Sequence, residues 1–138
     1  MKPFILCAFL LISVARAQVT KYVIASCIIT STGGKKDTVF NGKDGNIFCT
    51  LDMHAKSIQF DWQTTKYTSL KSYTVVRQKI IKGKMYETMG VYSMKLDCRN
   101  KNKKPCTIEF GINSRINNID IVLVDGPFVL NYRAVQTQ

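Results

Sequence analysis

The chain has 138 residues, 46% of them hydrophobic, and carries 20 Lys and Arg against nine Asp and Glu, a formal net charge of +11 with one histidine. That length holds one domain, and the basic balance suits an exported protein or a binder of anions. A single imidazole excludes every mechanism that needs two, and no apolar run reaches the roughly 18–20 residues of a membrane-spanning helix.

The first 17 residues, MKPFILCAFLLISVARA, have the layout of a secretory leader. Lys2 is the positive start, Phe4 to Val14 the apolar stretch, and Ala15-Arg16-Ala17 the small-x-small site. Cleavage before Gln18 leaves residues 18–138 as a single secreted β-rich domain. It also removes two cations, so the charge of +11 becomes +9. Cys7 leaves with the leader, and Cys27, Cys49, Cys98 and Cys106 remain. Four cysteines in an exported domain predict two disulfides, with three connectivities open. A Cys98–Cys106 bridge would contribute about 2.6 kcal/mol by loop closure and a Cys49–Cys98 bridge about 4 kcal/mol.

Strands follow in close order. KYVIASCIIT (21–30) is rich in β-branched residues and stops at Ser31-Thr32-Gly33-Gly34. DTVF (37–40) meets Asn41-Gly42, which predicts a two-residue turn. NIFCTL (46–51) and SIQFDWQT (57–64) come next, the second alternating Ile58, Phe60 and Trp62 with polar residues. SYTVVRQKII (72–81), VYSMKLDC (91–98), CTIEFGI (106–112), NIDIVLV (118–124) and FVLNYRAV (128–135) complete the set. Helical periodicity is weak, and only 43–56 and 66–79 offer candidates.

The densest charge lies between two cysteines, in CRNKNKKPC (98–106). Arg99, Lys101, Lys103 and Lys104 there, with Arg77, Lys82 and Lys84, are the candidate residues for gripping an anionic partner. The sole histidine, His54, has no obvious partner for proton transfer. The glutamates are Glu87 and Glu109, and no G-x-S-x-G, H-E-x-x-H or CxxC motif is present. No enzymatic activity, metal or cofactor is expected.

The stretches MHAKSIQFDW and VVRQKIIKGKMYETMGVYSMKLD resemble the core of the small fungal guanyl-specific ribonucleases. His54 matches the family's first histidine, FDW (60–62) its next strand, KIIKGKMY (79–86) its strand, turn and tyrosine, and Gly90 its glycine turn. Arg77 stands near the position of the catalytic glutamate and Ser93 near that of the arginine. CTIEFGIN lacks the final histidine. The resemblance therefore implies a degenerate scaffold, similar to the RNase-like secreted effectors of powdery mildew fungi. Those place a tyrosine two residues before the first cysteine, whereas Tyr22 here stands five before Cys27. It implies an α+β, β-dominated fold with at most one helix on a small antiparallel sheet. It also implies a monomer of virulence type, secreted and delivered into host cells, binding RNA or a host protein. The alternative is an all-β immunoglobulin-like sandwich, a secreted recognition module, in which Trp62 follows Cys49 by 13 residues and Cys98 follows it by 49.

Overall fold

The computed structural model describes residues 19–30 and 34–137; the expected leader, 1–17, lies outside the described residues. Nine strands run Val19–Thr30 (β1), Lys36–Phe40 (β2), Gly45–Asp52 (β3), Ser57–Thr64 (β4), Thr68–Ile81 (β5), Val91–Arg99 (β6), Pro105–Asn113 (β7), Asn118–Asp125 (β8) and Phe128–Thr137 (β9). Alternation of one apolar and one polar face makes each a half-buried strand. Ile47, Cys49 and Leu51 are buried in β3, Ile58, Phe60 and Trp62 in β4, and Ile108, Phe110 and Ile112 in β7. The one helix among the described residues, Met85–Met89 (α1), spans five residues and ends at Gly90, whose φ of 66° is the left-handed conformation of a helix cap.

β2 and β3 both run antiparallel to β1 and lie end to end along the same edge of it. Cys27 pairs with Phe40, and further down Tyr22 pairs with Cys49. They are two halves of one strand, interrupted at residues 41–44. Asn41-Gly42 is therefore an excursion within a continuing strand and not a hairpin turn. The strand resumes at Gly45, which has a φ of 137°, and a Cβ there would run into the backbone of Gln63 and Thr64.

From that composite strand the chain meanders antiparallel through β4 to β9, and β9 returns to pair with the other edge of β1 from Lys21 to Thr30. The result is a closed eight-stranded antiparallel barrel. This overturns both expected fold classes, the α+β sheet with a covering helix and the immunoglobulin-like sandwich. One sheet closes on itself, so no second sheet faces it, and α1 is too short and too exposed to cover a sheet face. Closure leaves no long free edge and turns the apolar face of every strand inward. The two helix candidates are also overturned: 43–56 becomes β3 and its turn, and 66–79 falls in β5.

Aromatic rings fill the middle of the barrel. Phe60 stacks on Tyr132 at 4.8 Å between centroids and meets Tyr73 edge-on at 6.1 Å, while Tyr22 lies 5.3 Å from Phe110. The outer face carries Lys79, Lys95, Glu109, Asp120 and Arg133. An apolar interior under a charged exterior is the inverse of the pattern in a transmembrane barrel. No helix among the described residues is long and apolar enough to cross a membrane.

Candidate functional site: a notch at the barrel rim

One end of the barrel, the rim, bears the β4–β5 turn (65–67), the β6–β7 turn (100–104) and the β8–β9 turn (126–127). The other end bears 53–56, the segment with α1, and 114–117. At the rim the wall is incomplete. β6 stops at Arg99, opposite Thr74, so Thr68–Tyr73 of β5 pair with β4 alone. A cavity of about 640 Å³ opens in this notch. Ile29, Tyr67, Leu70, Phe128 and Leu130 give it apolar walls, and Ser69, Lys71, Asn100, Lys101 and Asp125 give it polar groups. Its volume lies inside the range of pockets that enclose small molecules.

Register explains the polar groups. Lys71 pairs with Phe60 and Ser69 with Trp62, and both partners point inward, so Lys71 and Ser69 do too. The Lys71 ammonium lies 5.8 Å from the Trp62 ring centroid and 5.9 Å from that of Tyr67, close enough for cation–π attraction. No carboxylate among the described residues lies within ion-pair distance of it. Asp125, across the notch, accepts a hydrogen bond from the Asn100 amide at 3.0 Å.

Beneath the notch two polar atoms are buried without a hydrogen-bond partner, the Trp62 indole N–H and the Tyr132 hydroxyl. Their residues are 5% and 1% exposed. The two rings stand 6.2 Å apart, and Tyr67, a notch residue, lies edge-on to Trp62 at 5.6 Å. The Trp62 indole and the Cys27 thiol both lie close enough to the Tyr132 hydroxyl to act on its charge, although neither contact meets hydrogen-bond geometry. Burial pushes the Tyr132 hydroxyl well above its ordinary range, so it stays protonated. Neither residue lines the cavity, so both atoms belong to the closed barrel interior below it.

The seven cationic candidates divide between the two ends. Arg99, Lys101, Lys103 and Lys104 sit at the rim, on a turn whose backbone is held by the Asn100 side chain, which accepts from the Asn102 and Lys104 amides at 3.0 Å each. Arg99 donates to the Lys103 carbonyl at 3.1 Å. Lys82 and Lys84 lie at the opposite end beside α1, where the Lys82 ammonium sits 4.4 Å from the Tyr86 ring centroid. From Thr74, opposite Arg99, to Ile81, opposite Ser93, β5 advances seven residues, roughly 23 Å. Arg77 points outward midway and is tied up by Asp97, with nitrogen–oxygen distances of 2.7 and 2.9 Å. The seven therefore do not form one face.

His54 sits exposed in the β3–β4 turn, at the end away from the notch. Glu87 is in the first turn of α1, and Glu109 lies on the outer face of β7 opposite Lys95 and Val122, three strands round from β4. The structure brings none of these to the notch. It brings there Lys101, one of the cationic candidates, and Tyr67, together with Lys71, Asn100, Asp125 and Phe128, none of which four sequence reasoning singled out as a ligand group. The available signal was a lysine at an inward position of an alternating strand. It was masked because Ser69 and Lys71 break the apolar pattern of β5 where the strand leaves the core.

Among the described residues Cys27, Cys49, Cys98 and Cys106 are all buried thiols. Cys98 and Cys106 stand directly opposite each other on β6 and β7, while Cys27 and Cys49 lie on β1 and β3 at different levels.

The fold and notch define a closed antiparallel barrel with a partly lined opening at one end. Compared with family models, curated proteins and solved structures, the chain matches none.

Proposed function

We propose that this chain is a non-catalytic binding protein that takes a small amphipathic molecule with an anionic group into the notch at the barrel rim. The observation that carries this reading is the cavity of about 640 Å³ with an unpaired, inward-facing Lys71 between apolar walls. The apolar body of the ligand lies against Ile29, Leu70, Phe128 and Leu130, and its anionic group meets Lys71 and Lys101. Expelling water from such a cavity supplies affinity, and the few polar groups set orientation.

Trp62 is the one tryptophan of the chain and touches the notch through Tyr67 and Lys71, so its emission reports occupancy. The test titrates the protein with 1-anilinonaphthalene-8-sulfonate, an apolar bicycle carrying a sulfonate. It repeats the titration with N-phenyl-1-naphthylamine, the same body without the charge. Saturable one-site binding with energy transfer from Trp62, tighter for the sulfonate, is expected. Titrations that leave Trp62 emission unchanged overturn the reading.

A second reading rests on the rim turn itself. Four cations in the six residues 99–104, on a backbone held by Asn100, form a preorganised cationic tip. That tip supports the effector-type role expected from the sequence, in which an exported protein grips RNA or a host protein without cleaving it. Phosphate contacts make such binding steeply salt-dependent. Anisotropy of a labelled single-stranded RNA at about 50 and about 200 mM salt tests it, with a large loss of affinity expected between the two. Absent RNA binding removes the RNA arm and leaves the host protein.

A further inference from the structure

The cysteines carry an inference independent of what fills the notch. Pairing across β6 and β7 sets Arg99 opposite Pro105 and Cys98 opposite Cys106. Pro105 has no N–H, so Arg99 and Pro105 form a non-hydrogen-bonded pair; the Asn100 amide donating to the Lys104 carbonyl one step further fits the same alternation. Cys98 and Cys106 are then a hydrogen-bonded pair, with Cα atoms about 5.5 Å apart. Disulfides span roughly 4.4–6.8 Å between Cα atoms, most often near 5.5–6 Å. Both side chains point inward and are buried.

The other two cysteines cannot meet. Cys49 stands opposite Tyr22, and Tyr22 is five residues before Cys27 on the same strand. Five residues of strand cover roughly 16 Å, which puts the two Cα atoms well beyond the 7 Å limit for bridging. Neither β1 nor β3 neighbours β6 or β7 in the barrel.

We propose that Cys98 and Cys106 form the one intramolecular disulfide of this protein, and that Cys27 and Cys49 remain thiols in its core. The bridge forms by thiol–disulfide exchange with a small-molecule disulfide such as oxidised glutathione. One protein thiolate displaces glutathione from it, giving a mixed disulfide. The second thiolate attacks that bond and releases the other glutathione. One S–S bond breaks and one forms, and the two protons and two electrons leave with two molecules of glutathione. The bridge closes the turn that carries Asn100, Lys101 and Asn102 into the notch and ties it to the barrel wall.

The experiment refolds the full chain lacking residues 1–17 in a glutathione redox buffer and blocks free thiols with N-ethylmaleimide in denaturant. The non-reduced protein is then digested with trypsin, which cuts after Arg99, Lys101 and Lys103, between the two cysteines. The expected products are Leu96–Arg99 joined to Lys104–Arg115, and maleimide on Cys27 and Cys49 alone. In Cys98→Ser, Cys106 should carry maleimide, and no crosslinked peptide should remain. Four labelled cysteines in the parent chain overturn the proposal, as does any crosslink that includes Cys27 or Cys49. Neither result bears on the notch, whose probe titration stands or falls separately.

Discussion

Replacing Lys71 with methionine keeps the apolar stem of the side chain and removes its charge, which isolates the electrostatic part of notch binding. At a separation of about 4 Å and an effective dielectric constant of about 20, a sulfonate and an ammonium attract by roughly 4 kcal/mol. Lys71 is half-buried, with water on its open side, so screening and the loss of its own hydration reduce the gain to roughly 1–2 kcal/mol. That corresponds to about a tenfold change in affinity. The assay is the pair of titrations already described, read both by probe emission and by transfer from Trp62. In Lys71→Met the sulfonated probe should bind about tenfold more weakly. The uncharged probe should bind as before or slightly tighter, because the notch has become more apolar. Equal weakening of both probes would mean that the substitution damaged the site as a whole. Unchanged affinity for the sulfonate would mean that the charged group never meets Lys71. Either outcome refutes the reasoning.

Three further outcomes follow from the core and the thiols. Phe60 is fully buried against Tyr132 and Tyr73, so Phe60→Ala should lower the unfolding free energy by about 3–5 kcal/mol, measured by urea denaturation. Burial pushes the Cys27 and Cys98 thiols up to about 12 and the Cys106 thiol up to about 11. The unfolded chain releases those protons near its ordinary thiol value of about 8.5, so stability is full below that pH and falls as pH rises toward 11–12. The slope is up to about 1.4 kcal/mol per pH unit for each thiol. Thermal melts of reduced protein between about pH 8 and pH 10.5 should show this fall, and it should be shallower once Cys98 and Cys106 are bridged. Oxidised protein should be more stable than reduced protein by about 2.6 kcal/mol at neutral pH, the loop-closure value for nine residues, again by urea denaturation.

The strands were legible in the sequence because each alternates in a way that only a half-buried strand satisfies. Ile58, Phe60 and Trp62 against Gln59, Asp61 and Gln63 permit no other reading, and all nine segments recur in the structure with ends shifted by a few residues. Alternation says which face is buried but not what buries it. An inward face packs as well against a helix, against a second sheet, or against the rest of its own sheet curled round, and that choice rests on the pairing of β9 with β1, about a hundred residues apart in the chain. The same ignorance of long-range pairing made Asn41-Gly42 read as a hairpin, when β2 and β3 are one strand broken beside β1. The cationic candidates were visible as residues, but their division between two ends depends on the direction of β5. The notch was invisible for a related reason. It exists because β6 ends six residues short of the start of β5, and a difference in length between neighbouring strands has no meaning until they are neighbours. Local chemistry along the chain thus determined strands, charge and cysteine content. Closure, the opening at the rim and the meeting of Cys98 with Cys106 were decided by contacts between distant segments, which no local pattern encodes.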